Sequence, residues 1–175
     1  MKDKKQGGRF SYLNDYEKDA AGKYVYTGIE YQWKSPRKPA LIKIWFFALA
    51  AFAAQLAAGF LPGVGMNDHA WLLLPYAAVL IAAGSLVWGS YELTDGGDPI
   101  REHAYKKSVE ALPLRGLLTA IFSGASLLGE LVNFLWHSQF TGTIPGALLY
   151  LLLEAVGIAC GILLRKTVSG LSWEE

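Results

Sequence analysis

Apolar and polar positions in this chain fall into long blocks. Four blocks, 40–61, 70–91, 114–137 and 144–164, hold nearly all of the apolar residues. Each is long enough to cross a hydrocarbon core of ~30 Å at a helical rise of ~1.5 Å per residue. The pattern predicts an all-α integral membrane protein built as an antiparallel four-transmembrane-helix bundle. The third and fourth blocks are joined by a short turn, which makes them antiparallel neighbours.

The third block is interrupted in a regular way. Gly116, Thr119, Ser123, Ser126, Glu130, Asn133 and His137 follow one another at alternating spacings of three and four. On a helix this draws one continuous stripe of small or polar side chains. A carboxylate, an amide and hydroxyls turned toward acyl chains are costly, so the stripe must face other helices. In the fourth block, Gly146, Tyr150, Glu154, Gly157 and Gly161 form a matching face, and Gly157 and Gly161 make a GxxxG pattern. Ala48, Ala51, Gln55 and Ala58 give the first block a smooth face with one strongly polar member.

Between the blocks the signals change. Residues 1–39 form a polar segment, basic at its start and tyrosine-rich later. Lys23 to Trp33 has strand-like composition around Thr27-Gly28, which predicts a short β-hairpin, and Asp19 to Gly22 reads as a further turn. An isolated hairpin is marginal in water, so this one needs the membrane surface, the middle loop or a partner to dock on. Residues 92–113 connect the second and third blocks. There Asp98-Pro99 reads as a helix cap followed by proline at the first helical position, predicting a short helix over 99–112 on the bundle's inner face. Asp95-Gly96-Gly97-Asp98 has too few oxygen ligands for a calcium loop and reads as a capped turn. The domain plan is thus 1–39 as an N-terminal segment, 40–166 as the membrane domain and 167–175 as a tail.

Composition supports the membrane reading, with 53% hydrophobic residues and only 18% charged. Charge placement adds orientation. All 16 Lys and Arg lie in 1–43, 92–115 or from Arg165 onward. The positive-inside rule then puts both termini and the middle connection in the cytoplasm, N-in and C-in. The first block is too long for a signal h-region and lacks an obvious cleavage site, so it is read as a span. The basic step Ser35 to Pro39 suits anionic headgroups rather than nucleic acid. Cys160 is the single cysteine and excludes an intramolecular disulfide.

Candidate chemistry follows from depth. Glu130, Asn133, Tyr150, Glu154 and Gln55 are expected in the outer half of the bilayer, with His137 at its external mouth. No Lys or Arg lies at that depth to neutralise a carboxylate. Burial there favours neutral carboxylic acids hydrogen-bonded to Ser, Asn, Gln or Tyr. A proton that leaves when a cation or cationic solute arrives is the core of proton-coupled exchange. The expected function is therefore a small proton- or cation-linked transporter of a small solute, oligomeric because four spans leave little room for a pathway. The alternative is a non-catalytic subunit or scaffold of a membrane complex. In that case the stripe of the third span packs on a partner helix, and residues 1–39 dock a cytoplasmic protein. Transport requires water to reach Glu154, whereas a scaffold requires a dry, packed stripe or one exposed outside. A zinc site from Asp68, His69 and His137 is a weak signal. No hydrolase, P-loop, Rossmann or CxxC motif is present, so neither an enzyme nor a cofactor is expected.

Overall fold

The computed structural model describes residues 16–19, 22–62, 64–65, 69–136 and 144–174, which are mostly helical. In chain order the elements are β1 (Tyr16–Lys18), β2 (Tyr24–Tyr26), β3 (Glu30–Trp33), α1 (Arg37–Gly59), α2 (Ala70–Asp95) and β4 (Ile100–Arg101). A short α3 (Glu102–Tyr105) follows and runs through a π-helical turn, Lys106–Glu110, into α4 (Ala111–Trp136). The chain then forms α5 (Ile144–Ser169) and β5 (Trp173–Glu174). Four helical stretches are long and apolar enough to cross a membrane, and they suggest a membrane protein.

Around the bundle the long helices follow the order α1, α2, α4, α5, each packed on its two neighbours. Neighbours run antiparallel. At one end Arg37 and Trp45 of α1 both bond to Thr94 near the end of α2. At the other, the Tyr76 hydroxyl of α2 donates to the Gln55 carbonyl of α1 at 2.9 Å. Helices α4 and α5 touch backbone to backbone where Gly116 meets Gly161. A Cβ at Gly161 would fall 2.6 Å from the Gly116 carbonyl oxygen. Small residues permit that approach, as in other close helix pairs. The bundle's outside is apolar, with Ile81 74% and Leu74 70% exposed. Side chains of this kind suit a hydrocarbon solvent.

Two apolar clusters fill the interior. One, toward the strands, includes Ile44, Ala48, Leu86, Leu93, Ile100, Leu112, Cys160 and Leu164. The second, toward the opposite end, comprises Ala58, Val64, Leu72, Tyr76, Val79 and Tyr150.

Two local expectations are corrected. The hairpin forms one step earlier: β1 pairs with β2 around the turn at Asp19–Lys23, while Thr27-Gly28 separates β2 from β3. Strand β3 instead lies between β4 and β5, so the loop and the chain's end complete a three-stranded sheet. Aromatic packing explains the choice, because Tyr31 stacks on Tyr105 at 4.0 Å and Trp33 lies 4.3 Å from Trp173. Arg101 ties the hairpin to this sheet by donating to the Tyr16 hydroxyl and lying over the Tyr26 ring.

The second correction concerns the connection. Pro99 does not start a helix, since Ile100 pairs with Tyr31 and its side chain is fully buried in the core. Nor does the helix stop before Pro113, for one stretch runs unbroken from Glu102 to Trp136. Proline cannot donate to the preceding turn, and the π-helical register at Lys106–Glu110 lies just before it.

Candidate functional site

Gln55, Ser123 and Glu154 form a polar layer between the two apolar clusters. They come from α1, α4 and α5, and all three are fully buried. The Gln55 side-chain nitrogen donates to Ser123 Oγ at 3.2 Å and to Glu154 Oε2 at 3.1 Å. A carboxyl oxygen accepts, so the amide presents its nitrogen, not its oxygen, to Glu154. Consequently Gln55 Oε1 and Glu154 Oε1 have no hydrogen-bond partner among the described residues. The hydroxyls of Ser126, Tyr150 and Ser123 lie around the same carboxyl. Ser126 and Tyr150 share a hydrogen bond of 2.6 Å, one turn of α5 from Glu154.

Gly157 makes this layer sterically feasible. A Cβ there would fall 2.5 Å from Gln55 Nε2 and 2.6 Å from Ser123 Oγ. The glycine therefore leaves room for the amide to pass between α4 and α5.

Glu130 belongs to a different contact. The Gly65 backbone N–H donates to both of its carboxyl oxygens at 3.2 Å. That carboxyl, 4% exposed, pins the connection between α1 and α2 to α4. Asn133 sits on the same feature, its side-chain amide against the Gly65 Cα, with Oδ1 buried and lacking a hydrogen-bond partner among the described residues. The structure thus brings Glu154, Gln55 and Tyr150 together and places Glu130 and Asn133 at the Gly65 connection. His137 lies outside the described residues, as does Asp68 of the zinc expectation. Among the described residues no group of three or more His, Cys, Asp or Glu converges as metal ligands.

Two participants escaped the sequence reading. Tyr76 holds the Gln55 carbonyl, and a phenol well inside an apolar block was the available signal. Gly65 acts through its backbone N–H, for which no side-chain signal exists.

A separate cavity of about 200 Å³ opens near the strand end, lined by Tyr91, Glu92, Asp95, His103 and Lys107. Lys107 bridges Glu92 at 2.8 Å, and Arg115 lies 3.9 Å from the same carboxylate while donating to the Ser85 carbonyl. These ion pairs join α2 to the base of α4 and set two cations against the Glu92 carboxylate.

No family model matches this chain, and neither a curated protein nor a solved structure does.

Proposed function

We propose that this is a small multi-pass membrane protein that performs proton- or cation-linked transport of a small solute, with Glu154 as its ionisable centre. A single observation carries the reading. The Glu154 carboxyl is wholly buried within the bundle, it accepts from the neutral Gln55 amide, and one of its oxygens has no hydrogen-bond partner among the described residues. Intramembrane ionisable groups without a countercharge mark ion pathways or proton relays by default. In this arrangement the site is occluded, and transport requires the layer to open toward one face. The orientation proposed with it is N-in and C-in, which puts the sheet and the Arg115–Glu92–Lys107 cluster in the cytoplasm, on the lysine- and arginine-rich side. Assembly into an oligomer, which would enlarge a four-helix pathway, is part of the proposal.

The stripe's packing bears on the scaffold reading. Thr119, Ser123, Ser126 and Glu130 are all buried within this one chain, so they offer little to a foreign helix. A narrower structural reading draws on Glu130, which holds the Gly65 connection and needs no ion to do so. On that reading the carboxyls are helix and loop fasteners.

Flux into sealed vesicles separates the two. Wild-type protein reconstituted with a pH-sensitive dye inside should pass protons when a solute or cation gradient is imposed. Glu154→Gln should abolish that flux and leave the protein folded. Absence of flux in wild type across solute and cation panels would end the transport reading.

A further inference from the structure

We propose that the paired hydroxyls of Tyr150 and Ser126 are a proton relay serving Glu154, so that protons reach the buried carboxyl from the Gly65 end of the bundle and not from the strand end. The inference rests on the transport reading and names the face through which its ionisable centre exchanges protons.

The hydroxyl pair is the first ground. Tyr150 and Ser126 are both buried, and their oxygens lie 2.6 Å apart with either able to donate. Both hydroxyls lie around the Glu154 carboxyl, whose Oε1 has no hydrogen-bond partner among the described residues. A hydroxyl carries one proton and two lone pairs, so it accepts one hydrogen bond while donating another. The pair therefore has two settings. With Ser126 donating to Tyr150, the phenol proton is left for an ionised Glu154. With Tyr150 donating to Ser126, the phenol oxygen is left to accept from a protonated one. Passage between the settings moves one proton. Glu154 gives its proton to Tyr150 Oη, the phenol's own proton passes to Ser126 Oγ, and Ser126 gives its proton to a water. Only Glu154 and the water change charge.

The two directions along the stripe differ, which is the second ground. Toward the strands the next polar member after Ser123 is Thr119, whose hydroxyl donates to the Arg115 carbonyl of its own helix at 2.9 Å. Beyond it Gly116 lies against Gly161 backbone to backbone, and the apolar cluster that includes Ile44, Leu112 and Leu164 fills that end. Toward the Gly65 end, Ser126 is followed one turn along α4 by Glu130, itself buried, which holds the connection between α1 and α2. Polar side chains thus continue from Glu154 toward that end and are interrupted toward the other.

The test is hydrogen–deuterium exchange of the Glu154 carboxyl in the full-length protein in detergent. Infrared spectroscopy follows it as the protonated-carboxyl band that Glu154→Gln removes. Tyr150→Phe keeps the ring and removes the relay oxygen, and should slow exchange at least about tenfold. Ser126→Ala should slow it as well, while Thr119→Val should leave it at the wild-type rate. The sign separates a relay from a fastener, because losing a bond that only holds helices together loosens the bundle and speeds exchange. Three results overturn the relay: exchange unchanged or faster in Tyr150→Phe or Ser126→Ala, equal slowing by Thr119→Val, or no band that Glu154→Gln removes. Proton flux in vesicles keeps the two readings apart. Wild-type flux with exchange unchanged in Tyr150→Phe removes the relay and leaves transport standing. Slowed exchange in Tyr150→Phe without flux in wild type upholds the relay and removes transport.

Discussion

The Gln55 amide donates to Glu154 Oε2 at 3.1 Å, joining α1 to α5 between two apolar clusters. Both residues are fully buried, so neither loses its partner to water at no cost. Replacing Gln55 by Met should destabilise the protein by about 1–3 kcal/mol, because the buried carboxyl loses its donor. Replacing both residues by Met should cost less than the sum of the single changes, with a coupling of about 0.5–3 kcal/mol. Reversible unfolding in mixed micelles measures this cycle. Additive single effects would mean that the bond contributes nothing.

Glycines on α4 and α5 differ sharply in what surrounds them. A Cβ at Gly161 meets backbone, the Gly116 oxygen at 2.6 Å and the Ala120 nitrogen at 3.2 Å, whereas one at Gly124 meets nothing within 4 Å. Gly161→Ala should therefore force the helices apart and cost about 1–3 kcal/mol. Gly124→Ala should be neutral or stabilising by up to about 1 kcal/mol, from helix propensity alone. Thermal unfolding of the two variants side by side checks the contrast.

Glu130 holds Gly65 through backbone hydrogen bonds that any acceptor in its place can make. Glu130→Gln keeps a carbonyl oxygen and should retain near wild-type stability. Glu130→Ala strands the buried N–H at a cost of about 1–3 kcal/mol. Amide hydrogen exchange at Gly65 should accelerate in the alanine variant only. Equal protection in both would mean that the carboxyl is not the fastener.

Much of the architecture was legible because a bilayer restricts how a backbone may cross it. The block lengths gave the four long helices, and the three-and-four spacing told which residues of α4 share one side. That spacing could not say what each member faces. Glu130 and Ser123 lie on one stripe, yet Glu130 meets a backbone N–H in a turn while Ser123 meets an amide from α1. The small sheet was harder still. Strand β3 draws its partners from residues 100–101 and 173–174, and pairings that short and distant leave no periodicity to read. The expected break between the short helix over 99–112 and the block from 114 is absent, for a π-helical turn leads straight into α4 across Pro113.

Orientation has its own test, aided by the burial of the single cysteine. In a Cys160→Ala background, His69→Cys should react with an impermeant maleimide added to intact cells. Lys34→Cys should react only after the membrane is opened. Labels in the reverse order would invert the proposed topology.

The central claim is that Glu154 exchanges a proton for a bound cation or solute. Proton release from purified protein in weakly buffered detergent tests it most directly. On adding the right cation or solute, wild type should release about one proton per chain, the capacity of a single carboxyl. Glu154→Gln should release none, and Glu130→Gln should match wild type. Identical traces from wild type and Glu154→Gln across every cation and solute tried would contradict the account.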